Sequence, residues 1–267
     1  MKSSVLLLLF VLCVCGSGLS AQGGISIAPG KLFFNQLSDE SQTRTVELKN
    51  PTDETLEVQT LIQDWYRERS GKKNYRPAGT LEQSCSPYLE VIPERQIVPP
   101  GETRLVTVRL VVPASYTPED GVLNSMIFFR QTRPYTPSTN TPGGVQSDIK
   151  VLFQVGVHAY YSHPALQRRG IELQNLRYEN GQLIATLANV GEVLLEAVLN
   201  TELTDLQTGK EIKLPEAKAL VSLLPGDLRD VVIDPGKGVP PGAYSALVSV
   251  DIGAEYDIEV GIIEIEY

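Results

Sequence analysis

Apolar and polar residues alternate with period two in short stretches over most of the chain. Thr45-Val46-Glu47-Leu48-Lys49, Leu105-Val106-Thr107-Val108-Arg109-Leu110, Val248-Ser249-Val250-Asp251-Ile252 and the run from Ile262 to Tyr267 all follow it. That is the period of an extended strand with one buried face. Repeated at this length between Pro, Gly, Asn and Asp, it predicts an antiparallel β-sandwich. No stretch after the N-terminus reads as a long amphipathic helix. Glu179-Asn180-Gly181-Gln182 places Asn-Gly where a two-residue hairpin needs positive φ, and Pro100-Gly101 and Pro241-Gly242 punctuate further strands.

A weak internal repeat points to two copies of one fold. Val46-Glu47-Leu48-Lys49-Asn50 followed by Leu56-Glu57 aligns without a gap on Ala185-Thr186-Leu187-Ala188-Asn189 followed by Leu195-Glu196. A Pro-Gly turn follows in each copy, at Pro100-Gly101 and Pro225-Gly226. The pattern breaks between Ser162 and Gly170, so the chain divides at about residue 164 into domains 22–163 and 164–267. One connection is unusual: Gln131 to Ser147 carries three Pro, two Gly and six Ser or Thr, the composition of a long mobile loop. Directly after it, Ile149, Val151, Phe153, Val155 and Val157 fall on one side of a strand, and Asp148, Lys150, Leu152, Gln154 and Gly156 on the other.

The N-terminus adds an address. Lys2 precedes an apolar run from Val5 to Cys15, and Leu19 and Ala21 supply small or apolar residues at −3 and −1 of a cleavage site. Residues 1–21 read as a secretory signal peptide, since the run is too short to span a bilayer, and no membrane span is expected in the mature chain. Cys13 and Cys15 leave with that segment, so Cys85 remains as a single thiol without a disulfide partner. It reads as inert and partly buried. The formal charge is −9, which argues against nucleic-acid binding. The acidity is uneven: residues 22–163 hold 14 Lys and Arg against 15 Asp and Glu, and residues 164–267 hold 8 against 17. No nucleophile elbow, zinc-binding His-Glu-x-x-His, phosphate loop or paired Cys is present, which points away from an enzyme and from any cofactor or metal. Trp65 reads as a core residue between sheets, and the run Arg67, Arg69, Lys72, Lys73, Arg76 around Ser70-Gly71 as a solvated hairpin tip.

The first half resembles the periplasmic pilus or fimbrial assembly chaperones. The likeness lies in Ile25-Ser26-Ile27-Ala28-Pro29-Gly30-Lys31, the Leu48-Lys49-Asn50 turn, Tyr88-Leu89-Glu90-Val91-Ile92-Pro93, Pro99-Pro100-Gly101-Glu102-Thr103, Ile127-Phe128-Phe129-Arg130, and the loop and strand that follow. The resemblance implies an all-β chain of two tandem immunoglobulin-like β-sandwich domains in a boomerang arrangement behind a cleaved signal peptide. It implies a non-enzymatic periplasmic chaperone that completes a secreted pilus-type subunit by lending it a strand, and an outer-membrane assembly protein as a further partner. Carried over by position, Ile149, Val151 and Phe153 are the apolar side chains inserted into the subunit. At about 1.5–3 kcal/mol for each large side chain buried, they contribute on the order of 5–9 kcal/mol before ordering costs. Lys31 stands where the family has Arg and His158 where it has Lys, the two cations that hold the subunit's terminal carboxylate. The rival reading is a structural or adhesive cell-envelope protein with tandem immunoglobulin-like domains.

Overall fold

The computed structural model describes residues 24–35, 42–117, 121–134, 151–214, 217–236 and 238–267. The expected signal peptide, Ile149 and most of the connection at 131–147 lie outside them. Among the described residues, ten strands come from the first half: β1 (Ser26–Ala28), β2 (Lys31–Phe34), β3 (Gln42–Lys49), β4 (Leu56–Arg67), β5 (Lys73–Pro77), β6 (Leu89–Ile92), β7 (Arg95–Val98), β8 (Thr103–Leu110), β9 (Val122–Gln131) and β10 (Gln154–Ser162). They form one sheet of order β1-β3-β8-β6 and a second of order β2-β10-β9-β4-β5, with β7 also paired to β4.

The second half contributes β11 (Ile171–Glu179), β12 (Gln182–Asn189), β13 (Leu195–Asp205), β14 (Glu211–Ile212), β15 (Lys218–Leu223), β16 (Leu228–Ile233), β17 (Ala243–Asp251) and β18 (Glu259–Glu266). These build a three-stranded sheet β11-β12-β16 and a sheet β14-β13-β17-β18 with β15 on β13. The protein is therefore all-β, two immunoglobulin-like sandwiches in tandem. Each encloses its own core: Val46, Leu48, Val108, Ile127, Phe129 and Tyr161 lie in one, Leu187, Leu199, Tyr244 and Val248 in the other.

Alternation decides what enters each core. On β3, Val46 and Leu48 are buried while Thr45, Glu47 and Lys49 face water. The Asn180-Gly181 hairpin has φ of 52° and 80° at its two central residues and joins Glu179 to Gln182, the cross-strand pair it was expected to close. Cys85 is more deeply buried than its sequence suggests, 1% exposed, and burial pushes its thiol up to about 12. It is an inert core residue.

The internal repeat is visible as one buried device used twice. Asn50 is fully buried; its Nδ2 donates to the carbonyls of Glu54 at 2.7 Å and Val98 at 2.9 Å, and its Oδ1 accepts from the Thr52 amide at 2.9 Å. Asn189 does the same 139 positions later: Nδ2 donates to Val193 O at 2.9 Å and Leu223 O at 3.0 Å, and Oδ1 accepts from the Gly191 amide at 2.9 Å. The backbone carbonyl of each Asn accepts from the glycine of its Pro-Gly turn, Gly101 or Gly226. Those glycines sit at φ 70° and 76°, which an L side chain adopts only under strain. One amide thus pins a turn two residues on and a strand from a distant part of its sandwich.

Trp65 departs from expectation. Strand β4 turns Leu56 and Val58 inward, and the same parity carries Asp64, not Trp65, to the inner side. Buried Asp64 accepts from the Thr80 and Leu81 amides and from the Ser84 and Ser86 hydroxyls. Burial alone would raise its pKa, but those hydrogen bonds outweigh burial and hold it below the usual carboxylate value. Trp65 lies on the opposite face, buried with Met126, Phe128 and Tyr160 against Leu194 and Leu224 of the second half. Strand β9 is accordingly buried on both sides over Val122–Phe129.

Replacing Asn50 or Asn189 with Ala strands one buried and one part-buried carbonyl, so each variant is expected to lose roughly 2–4 kcal/mol in urea unfolding. A loss under about 0.5 kcal/mol would show that the turns are held by other contacts.

Candidate functional site

The outer face of the first half's larger sheet meets the second half in a cleft. Edge strand β2 runs parallel to β10, and the register sets Lys31 directly beside His158. The two sequence-predicted cations are therefore neighbours on adjacent strands. Their side chains have different partners. Lys31 Nζ reaches across to the second half, where it pairs with Glu196 at the start of β13 and donates to Ser222 Oγ at 3.1 Å. His158, 9% exposed, has its Nε2 2.8 Å from Lys73 Nζ.

That contact assigns the histidine's protons. A charged ammonium can only donate, so Nε2 accepts and the ring proton sits on Nδ1. Burial, reinforced by the charges of Lys73, Arg67 and Lys31, drops the His158 pKa to about 3, so the imidazole is neutral at ordinary pH. The positive charge at this position belongs to Lys73, whose own pKa is lowered by burial and then by Arg67, Lys31 and Arg229.

Lys73 is on β5 and Arg67 is its cross-strand partner on β4. Both lie over the Trp65 ring, with Lys73 Nζ at 5.6 Å and the Arg67 guanidinium at 5.5 Å from its centroid. The indole in turn packs edge-on against His158, with centroids 4.7 Å apart. From the second half, Arg229 on β16 enters the same region, 6% exposed, its pKa lowered by burial and by Arg67. Two carboxylates face this group: Glu196 on Lys31, and Asp227, whose pKa burial raises despite Arg229 and Arg67 nearby. Arg69 belongs to a separate link. It binds Asp230 at 3.0 Å, together with Thr186 and Arg177, and Asp230 is held down to about 2 because these hydrogen bonds outweigh its burial.

The basic hairpin is thus a solvated tip only in part: Arg67, Arg69 and Lys73 have partners or charges of the second half beside them, while Arg69, Lys72 and Arg76 stay exposed. Period two offered a signal, since Arg67 shares the parity of Trp65. Arg229 had none, because its place in the cleft depends on contacts more than 150 residues apart in sequence.

Val151 and Phe153 precede β10, and both are half-buried. Phe153 packs on the first core beside Gly24, and its carbonyl accepts the Gln131 amide at 2.9 Å. Leu152, on the other side, is 57% exposed. The β10–β9 ladder runs the full length Gln154–Ser162, whereas the β10–β2 ladder covers only His158–Tyr161. Among the described residues, Gln154–Val157 have strand pairing on one side alone.

A neutral, buried His158 lowers the folded-state proton affinity below that of the unfolded chain. Stability is therefore full above about pH 6.5 and falls as pH drops from there toward 3. His158→Gln is expected to flatten this dependence in urea unfolding between pH 7 and 4. In the native protein the His158 ring resonances should stay constant from pH 8 to 5, and a midpoint near 6.5 would contradict the assigned state.

No family model matches the sequence and no curated protein matches it. Among solved structures, the chain is similar to the CsuC–CsuE chaperone–tip adhesion subunit pre-assembly complex from archaic chaperone-usher Csu pili of Acinetobacter baumannii, at 16% identity over 90% of this chain and 97% of that one, TM-score 0.47. It is similar to the E. coli chaperone DraB at 16% identity over 91% and 96%, TM-score 0.45. It is also similar to the Salmonella enterica SafA pilin in complex with the SafB chaperone, at 14% identity over 90% and 96%, TM-score 0.43.

Proposed function

We propose that this protein is a non-enzymatic periplasmic chaperone for pilus or fimbrial subunits, which it caps by adding a strand to their incomplete folds. In this reading residues 1–21 are removed on export, 22–163 form the subunit-binding domain and 164–267 the second domain. The observation that carries the reading is the one-sided pairing of Gln154–Val157. A strand bonded along one edge offers unpaired amides and carbonyls along the other, and a subunit strand can extend the sheet there. In this reading Ile149, which is outside the described residues, Val151 and Phe153 are the side chains inserted into the subunit, and Phe153 leaves its place on the first core to do so.

The edge leads directly into the Lys31–His158 register pair. A polypeptide whose last strand runs along β10 in the same direction therefore brings its C-terminus to the cationic cleft. The terminal carboxylate binds there, which fixes the register of the added strand: a slip of one residue would turn every inserted side chain to the wrong face. Nothing in this mechanism makes or breaks a covalent bond.

The test is capture of a subunit from the native envelope by the mature protein. Val151→Asp places a charge on the inserted side and is expected to reduce co-purification of an envelope subunit at least tenfold, with little change in the urea midpoint because Val151 is only half-buried. Capture at the wild-type level would return the protein to the structural or adhesive reading.

A further inference from the structure

We propose that the charge that receives a polypeptide's terminal carboxylate in this cleft is supplied by Lys73 together with Arg67 and Arg229, that His158 acts as a positioning residue for Lys73, and that Lys31 serves chiefly as a tie between the two halves. The proposal rests on the reading of the cleft as a carboxylate site and names the residues that do the binding.

Three observations converge. First, Lys31 already has a carboxylate: its ammonium faces Glu196 and Ser222. Arg67, Lys73 and Arg229 form no ion pair among the described residues, and with Lys31 they set four cations against Glu196 and Asp227. The cleft therefore carries an uncompensated positive charge. Second, it holds buried donors without partners. Trp65 Nε1, His158 Nδ1 and Arg229 Nε are each buried and make no hydrogen bond among the described residues. Their residues are 3%, 9% and 6% exposed. A stranded donor is costly, and three in one region mark a place that an acceptor-rich group completes. Third, there is room beside Trp65 and Arg67: a cavity of about 260 Å³ is lined by these two together with Leu224, Pro225 and the acidic Asp227, while Lys73, His158 and Arg229 stand outside its wall.

The chemistry favours a carboxylate. It accepts without donating, and a guanidinium can present two parallel N–H groups to it while Lys73 adds a point charge. Because Arg229 belongs to the second half and Lys73 and Arg67 to the first, a bound carboxylate bridges both. His158 contributes no charge; its Nε2 holds the ammonium over the Trp65 ring.

Trp65 is the chain's single tryptophan, so its fluorescence reports this site alone. The mature protein is titrated with acetyl-Gly-Gly-Phe bearing a free carboxyl, with the same peptide as its amide, and with inorganic phosphate. The free acid is expected to change Trp65 emission saturably, and the amide to bind at least tenfold more weakly. Lys73→Met should weaken the free acid at least tenfold, Lys31→Met by less than that, and the surface variant Lys49→Met not at all. His158→Gln, which can still accept from Lys73, should keep more affinity than His158→Leu. The assignment is overturned if Lys31→Met costs more than Lys73→Met, or if acid and amide bind alike. Phosphate binding as tightly as the peptide acid would overturn a polypeptide terminus as the ligand.

Subunit capture separates the two readings. If Val151→Asp abolishes capture while Lys73→Met leaves both capture and peptide binding intact, this inference fails and the chaperone reading stands. If Lys73→Met abolishes peptide-acid binding while Val151→Asp leaves capture intact, the site stands and the strand-addition reading fails.

Discussion

The central part of the outer face of the first half's larger sheet does not face water. Trp65, Met126, Phe128 and Tyr160 leave solvent there beneath Leu194 and Leu224 of the second half, and the properties of the cleft follow from that burial. His158 is two residues from Tyr160 on the same side of β10, and the rings stack at 5.5 Å, so the imidazole is dehydrated with its neighbours. Once the region is dry, the cations around it interact strongly. Two unit charges 4 Å apart interact by about 1 kcal/mol in water and about 4 kcal/mol near a protein surface. A histidine in such company stays neutral, and its ring becomes a hydrogen-bond acceptor for the lysine that carries the charge.

The same apposition divides the basic residues into two kinds. Arg69 and Lys31 meet acidic partners on the second half, Asp230 and Glu196, and tie the two sandwiches together. Arg67 and Lys73 lie over Trp65, Lys73 also meets His158, and Arg229 adds its charge near both cations; among the described residues these three form no ion pair. The acidity of residues 164–267 is thus used selectively at the boundary: two carboxylates neutralise ties, and the remaining excess of positive charge lies beside unpaired donors. Ion pairs at an exposed boundary are individually weak, which leaves the apolar cluster as the main attraction between the halves.

Within each sandwich a buried Asn holds a turn against a distant strand through hydrogen bonds. A side-chain amide has two donor hydrogens and an acceptor oxygen, and at Asn50 and Asn189 all are engaged. Among the described residues the one free thiol, that of Cys85, is buried.

Much of this was legible in the residues. Period two gave the strands and the inward side of β3, β8 and β17. Asn180-Gly181 gave a hairpin through its need for positive φ, and the gapless repeat from Asn50 to Asn189 pointed to two copies of one unit. These features are local: side-chain parity and turn chemistry act over a few residues and need no knowledge of what packs above the sheet. Tertiary structure decided which face of β4 and β9 is covered, that Trp65 lies outside its own sandwich, that part of the basic hairpin points into a cleft, and that Lys73 rather than His158 carries charge beside Lys31. Those outcomes depend on Leu194, Glu196, Leu224 and Arg229 arriving from the second half of the chain, and on the dehydration their arrival causes. No pattern within a strand encodes which second surface will take its water away.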